Sequence, residues 1–193
     1  MVRGLVASML LLAVGAQYQA FTTTSRANSA EEFTNGQMLL TSSDLELSHE
    51  CTNIECVVYN EQLVGIIFPA VGLSAQPHST SLTGAHLVLD IDEVNPPSYQ
   101  PLTVRIFGER SANAAQPSGT NFDFSLRTRT SATVMWSPVP SSNTHELLYS
   151  PDISPILREI LALPGWTSGN SVGIFIEYVS GPGVRWAESY RVN

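Results

Sequence analysis

The stretch SPDISPILREILALPGWTSGN (residues 150–170) decides the fold, because it places one short amphipathic helix in a chain that otherwise has the pattern of strands and turns. Ser-Pro pairs at 150–151 and 154–155 are typical of a helix start, and Pro-Gly at 164–165 is typical of a helix end. Apolar residues recur at the spacing of one helix face, namely at Ile153, Ile156, Leu157, Ile160 and Leu161.

The rest of the chain has the short apolar runs and turn residues of an all-β protein. The run 63–68 is apolar throughout and ends at a proline, as expected of a strand buried at the centre of a sheet. Residues 85–94 alternate instead, with Leu87, Leu89 and Ile91 on one face. Eight or so strands without βαβ alternation predict an antiparallel β-sandwich, jelly-roll-like, with the helix at one end.

The first residues have the parts of a secretory leader. A positive residue precedes an apolar run at 5–14, and small residues follow at 14–16. We expect residues 1–16 to be a signal peptide, with a second cleavage position after Ala20, then an extended lead-in at 17–29 and one domain at 30–193. No apolar run reaches the roughly 20 residues of a membrane span. The chain is therefore expected to be secreted. A plastid location is the alternative, because the acid-poor segment after Ala20 resembles the bipartite presequences of algae with complex plastids.

The composition is acidic, which argues against one class of partner. Nine arginines and no lysine face 17 carboxylates, for a formal net charge of −8. Because a negative surface repels phosphate backbones, nucleic acid is not an expected partner.

The two cysteines, Cys51 and Cys56, are separated by four residues in a chain expected to be exported. An even pair at this spacing predicts a local disulfide. Closing so short a loop stabilises by roughly 2 kcal/mol in the chain-entropy account. Redox and zinc sites are weaker alternatives, because the spacing is not CxxC and no histidine adjoins the pair.

Catalysis has little support in the sequence. No nucleophile motif of the G-x-S-x-G type is present, and the four histidines are scattered without metal-ligand spacing. Carboxylates occur singly or at strand ends. We therefore expect a non-catalytic protein.

Asp90, Asp92 and Glu93 form the candidate cation site. On a strand, the two aspartates project from one face about 7 Å apart, and the glutamate begins the next loop. Calcium would relieve their repulsion. The alternative is a cross-strand salt pair with Arg105.

Arg127 and Arg129 alternate with threonines, so their side chains are expected on one strand face. Planar guanidinium groups could bind a uronate or a sulfated sugar, and pairing with the surplus carboxylates is the alternative. Trp136 and Trp166 are expected in the core. A glycan site, where one exists, is expected at Trp186, Tyr190 and Tyr149 together with the two arginines.

Several motifs, taken in order along the chain, resemble a family of extracellular β-sandwich modules from secreted proteins of marine microbes, algae and invertebrates. They are SSDLEL (42–47), VGIIFP (64–69), GERSAN (108–113), RTRTSATVMW (127–136), SPDISPILREI (150–160) and PGWTSGN (164–170). The modules resemble, more distantly, carbohydrate-binding jelly rolls of the DNRLRE type. The chain departs from the VGLRF pattern of the family at Ile67, where the relatives have arginine.

The resemblance implies a non-catalytic sandwich for adhesion or glycan binding. We therefore expect a secreted binding module for cell-surface or matrix polysaccharide, with calcium as the one cofactor considered. The alternative is a structural subunit of an extracellular wall, coat or fibre, which would self-assemble.

Overall fold

The computed structural model describes residues 8–14, 17–51, 59–74 and 82–190, which form thirteen strands and one α-helix. Two short 3-10 turns lie at Arg26–Asn28 and Pro96–Tyr99. The helix α1 spans Ser154–Leu161. The strands in chain order are β1 (Ser8–Val14), β2 (Gln17–Thr22), β3 (Ser29–Phe33), β4 (Met38–Leu39), β5 (Asp44–Glu46), β6 (His49–Cys51), β7 (Tyr59–Phe68), β8 (Leu82–Glu93), β9 (Thr103–Glu109), β10 (Arg129–Trp136), β11 (Leu147–Tyr149), β12 (Val172–Ser180) and β13 (Trp186–Glu188).

The strands form two antiparallel sheets that pack face to face. The first sheet has the order β2-β1-β8-β13-β5, and β11 pairs with the other edge of β8. The second sheet has the order β10-β9-β12-β7-β3-β4, and β6 pairs with β7. The prediction of an all-β antiparallel sandwich with one short helix is confirmed.

The main core lies between the sheets and contains the residues that the sequence pattern assigned to it. Leu87, Leu89 and Ile91 of β8 all belong to this core, as their alternation predicted. The apolar run 63–68 lies in β7, which has β12 on one side and β3 on the other. It is buried on both faces, as a central strand requires.

The amphipathic helix is confirmed, and it begins at the second of the two predicted starts. Its five stripe residues are all buried. The start lies at Ser154 rather than at Ser150, and the side chain of Asp152 binds the first turn by accepting hydrogen bonds from the Ser154 amide and hydroxyl, both at 2.9 Å. Carboxylates bind the free amides at helix starts well, which the Ser-Pro pattern did not reveal. Among the described residues, no helix is long and apolar enough to cross a membrane.

Two sequence predictions concern segments that are partly outside the described residues. Cys56 lies in the gap at 52–58, so the disulfide with Cys51 stays a prediction. Residues 8–14 of the expected leader are described, and they form β1 of the first sheet. Whether the leader is removed is therefore a question with a structural consequence, because β1 is part of the sandwich.

Residues 110–128, which we call the cover loop, connect β9 to β10 across the outer face of the second sheet. Phe124 of this loop is fully buried against Phe175, with ring centroids 5.1 Å apart. Its ring lies where a side chain at Gly65 would be, since a Cβ added there would come within 2.5 Å of Phe124 Cε2. The second sheet is thus covered on its outer face by the chain itself.

We expect Gly65→Ala to destabilise the protein by about 1–3 kcal/mol, because overpacking a filled site forces side chains to shift. Gly84→Ala is the matched control, since a Cβ added at this strand glycine meets nothing nearer than 4.0 Å. Urea unfolding of both variants measures the difference. Equal stabilities would contradict the close packing of Phe124 on Gly65.

The edge strand β10 is interrupted by a bulge between Arg129 and Thr133. The bulge leaves two consecutive amides without strand partners, and Glu159 of α1 accepts both: Ser131 N on Oε1 and Ala132 N on Oε2, each at 2.9 Å. Helix and edge strand are thereby joined by one carboxylate.

Candidate binding groove

The residues that the sequence suggested for a glycan site do not converge. Tyr149 lies on β11 of the first sheet, with half of its side chain exposed (51%). Arg127 and Arg129 lie on the outer face of the second sheet, where their guanidinium groups stack on Phe124 and Phe107. The aromatic and basic members of the predicted site are therefore on different sheets.

Trp186 does not present a face to a ligand. Its side chain is 3% exposed, and its indole Nε1 donates a hydrogen bond to Glu46 Oε1 at 3.2 Å. Tyr190, close behind it in the chain, is half-buried. Trp136 and Trp166 are buried in the main core, as predicted. The sequence alone left the role of Trp186 open between a core residue and a platform for sugars, because Arg185 and Ala187 flank it while Val184 and Tyr190 share its face.

Arg127 holds the cover loop to the sheet. Its side chain, 9% exposed, donates to Glu109 Oε2 at 2.8 Å and to Asp123 Oδ2 at 3.0 Å. It also donates to the carbonyl oxygens of Ala115 and Gln116. Burial disfavours its charge, but the hydrogen bonds of these carboxylates outweigh burial and raise the pKa of Arg127. The alternative of pairing with carboxylates is confirmed for this residue.

Arg129 is paired as well, but near the surface. Its Nη1 donates to Glu177 Oε1 at 2.9 Å, and Arg105 Nε donates to Glu177 Oε2 at 2.9 Å. Although burial raises the pKa of Glu177, the two arginines outweigh burial and lower it. Arg105 therefore pairs within the second sheet. The suggested salt pair between Arg105 and the aspartates of β8 was wrong, because those aspartates belong to the first sheet.

The candidate calcium residues also lie apart from the groove. Asp90 is buried, Asp92 is half-buried and Glu93 is exposed at the end of β8. Burial, followed by the charge and hydrogen bond of Glu188, raises the pKa of Asp92 to about 6. Within the described parts of the chain, no three carboxylate, histidine or cysteine side chains are grouped closely enough to hold a metal ion. The geometry gives the calcium hypothesis no support.

A cluster of carboxylates lies between the two sheets, near one end of the sandwich. Glu31 Oε1 accepts the amide of Glu46 at 2.8 Å, and Glu46 Oε2 accepts Gln62 Nε2 at 3.1 Å. Burial, acting first, and the neighbouring charges of Glu46 and Asp44 raise the pKa of Glu31 to about 8, against an ordinary value of 4.5. Burial and Asp44 raise the pKa of Glu46 to about 7. We call Glu31, Asp44 and Glu46 the carboxylate cluster.

Three cavities at the second sheet have lining residues in common, and together we call them the groove. The first has a volume of about 260 Å³ and shares Glu61 and Tyr178 with the second, of about 380 Å³. It shares Phe33 and Thr34 with the third, of about 420 Å³. Because its walls include β12, β7 and β3, which are neighbours in the sheet, the groove crosses three strands.

The lining of the groove combines one exposed aromatic ring with short polar side chains. Phe122 of the cover loop is 42% exposed on one wall. The third cavity is lined by amides and carboxylates, among them Asn35, Asn60 and Glu50. In the second, the rings of His49 and Tyr178 meet edge to face, with centroids 5.2 Å apart. This arrangement offers hydrogen-bond donors and acceptors along a length suited to an extended ligand.

The charge of the groove is negative on balance. Arg129 is its one basic side chain among the described lining residues, and its guanidinium group is held by Glu177. Among the described residues, neither Glu50 nor Glu61 has an arginine partner. A uronate or sulfate would therefore meet repulsion here.

Of the sequence motifs behind the family resemblance, RTRTSATVMW contributes Arg129 to the first cavity, and two others contribute nothing to the groove. The segment SSDLEL contributes β5, and PGWTSGN follows α1, and neither lines any of the three cavities. The resemblance accordingly stays a hypothesis about the family. Comparison with models of protein families, with curated proteins and with solved structures finds nothing that matches this chain.

Proposed function

We propose that this protein is a secreted, non-catalytic module that binds an extended polysaccharide of a cell surface or matrix in the groove. The observation that carries the proposal is that the three cavities share lining residues from β12, β7 and β3. Neighbouring strands are about 4.8 Å apart, so the outer two of these three are about 10 Å apart. A linear chain of sugar rings suits such a length better than a single small molecule does.

The lining chemistry indicates which sugars fit. The flat apolar face of a sugar ring can pack on Phe122 while one of its hydroxyl groups bonds to Glu61 in the same cavity, and another sugar of the chain can bond to Asn60 in the third cavity. Because the groove has surplus carboxylates, we infer that neutral or amino-bearing sugars bind better than sulfated or uronic ones. Binding is expected without calcium.

The test is an array of neutral, amino-bearing, uronic and sulfated polysaccharides, probed with the protein in calcium and in chelator. Selective binding of the neutral or amino-bearing chains in both buffers is the expected result. Preference for the sulfated chains, or silence across the array with a folded sample, would contradict the proposal.

Variants locate the site on the protein. We expect Phe122→Ala and Asn60→Ala each to weaken binding of the selected polysaccharide about tenfold, since 1.4 kcal/mol corresponds to that factor. Tyr149→Ala is the matched control, because it removes a similarly exposed aromatic ring from the other sheet. Loss of binding in Tyr149→Ala with none in Phe122→Ala would move the site to the first sheet. Isothermal titration with a purified oligosaccharide measures each variant.

One observation favours the alternative function, a subunit of an extracellular assembly. The strand β1 belongs to the first sheet and also coincides with the apolar run of the expected leader. Removal of the leader would therefore open an edge of this sheet, where a strand of another chain could pair.

A further inference from the structure

The strand β1 is embedded in the first sheet. It pairs with β8 from Ser8↔Leu89 to Val14↔Leu82 on one side and with β2 on the other. Leu10 and Leu12 of β1 are 0% exposed and belong to the main core. They lie opposite Leu87 and Ala85 of β8, which are also fully buried. The strand is therefore both a ladder partner and a core element.

The same residues are the apolar centre of the expected leader. Cleavage after residue 16 or after Ala20 removes β1 entirely. The edge of β8 from Leu82 to Leu89 then loses its ladder partner, and the core loses two leucine side chains. What remains is a strand-shaped slot, open along one edge and apolar at alternate positions.

We propose that this slot in the mature protein is filled in trans, by an extended segment of another polypeptide that carries leucine-like side chains at alternate positions. The strand β1 shows the chemistry of the occupant, because it already fits the slot in length, register and burial. Addition of a strand to a sheet edge gives affinity through main-chain hydrogen bonds and specificity through the pockets for alternate side chains. Such an exchange would join the protein to an extracellular assembly.

The neighbouring strand β2 is a poor substitute in cis. A shift that places Phe21 in the slot also places Gln19 at the next inward position, and a shift by one residue places Tyr18, Ala20 and Thr22 at inward positions instead. Both shifts bury polar groups where β1 buries two leucines. This burial costs free energy unless the polar groups find new hydrogen-bond partners. Cleavage after Ala20 removes most of β2 as well.

The test begins with the full-length gene expressed for secretion in a eukaryotic host. Mass spectrometry of the exported protein is expected to find Gln17 or Phe21 at its N-terminus. A synthetic peptide with the sequence of residues 8–14 and polar flanks is then expected to bind one to one and to raise Tm by several degrees. The control peptide carries Leu10→Asp and Leu12→Asp. These changes keep the main-chain groups that pair with β8 and remove the two side chains that pack into the core.

A protein control comes from blocking the leader. The variant Ala16→Arg with Ala20→Arg removes both small residues that cleavage requires, so β1 stays in cis and no peptide should bind. Where the cleaved chain does not fold alone, refolding with each peptide gives the same comparison, and recovery with the parent peptide only is expected. An exported protein that retains residues 8–14, or a cleaved one that binds neither peptide or both equally, would overturn the proposal.

Discussion

Replacing Arg127 with methionine is expected to destabilise the protein by about 3–5 kcal/mol, the cost typical of breaking a buried ion pair from one side. The substitution leaves Glu109 and Asp123 without the cation that lies 2.8 and 3.0 Å from them, and it releases two carbonyl oxygens of the cover loop. Urea unfolding followed by tryptophan fluorescence measures the loss.

Arg129→Met is the matched control for this change. Arg129 lies two residues away and also pairs with a carboxylate, but its side chain is 38% exposed against 9% for Arg127. Exposed pairs contribute at most about 1 kcal/mol. Arg127→Lys should still be clearly destabilised, since an ammonium group cannot reproduce the planar fork that reaches both carboxylates. Equal losses in the two methionine variants would show that Arg127 does not hold the cover loop.

The second large effect concerns Glu31 and depends on pH. Its pKa is about 8 in the folded protein, against 4.5 ordinarily, because of burial and the charges of Glu46 and Asp44. Below pH 4.5 the carboxyl is neutral in both states, so its contribution to stability is intact. As pH rises to 8 the unfolded chain ionises first, and that contribution is lost.

Glu31→Gln is therefore expected to be more stable than the parent above pH 8, by about 3–5 kcal/mol at 1.36 kcal/mol for each pKa unit. Near pH 4.5 the two proteins should unfold at similar urea concentrations, since glutamine keeps an oxygen for the Glu46 amide. Glu93→Gln, at an exposed carboxylate of the first sheet, is the control and should show no such divergence. Parallel stability curves for parent and Glu31→Gln across pH 4.5–9 would contradict the prediction.

Much of the fold could be predicted, because local pattern and burial agree in the elements that matter. The helix stripe and the two-faced strand β8 follow from spacing alone, since one face of each must be buried. The hydrogen bonds from Ser154 to the Asp152 carboxylate were missed, because a carboxylate two residues before the helix looks like an ordinary turn residue in sequence.

The groove could not be predicted, because its walls come from chain segments far apart in sequence. Phe33 and Asn60 meet only through the pairing of β3 with β7, and Phe122 arrives with the cover loop. For Arg127 and Arg129 the sequence left two roles open, binding of an anionic sugar and pairing with carboxylates, and the structure shows the pairing. Their partners, Glu109 and Glu177, are strand residues whose outward direction depends on register, which composition does not reveal.

The leader prediction shows a different limit. An apolar run of ten residues suits both the centre of a signal peptide and a buried strand, so residues 5–14 fit two incompatible fates. Only the pairing with β8 identifies the buried strand, and β8 lies some seventy residues further along the chain.

The carboxylate of Glu159 at the bulge of β10 has a consequence for how molecules of this protein can associate. At one border of the second sheet the bulge and this carboxylate disrupt the hydrogen-bonding pattern, and at the other border β4 has only two residues. Interrupted and very short borders are poor templates for another chain. Among the described residues, growth by strand addition is thus directed to the first sheet. An assembly built this way would have one acceptor per molecule, so each molecule would take up one incoming strand and would not act as a branch point.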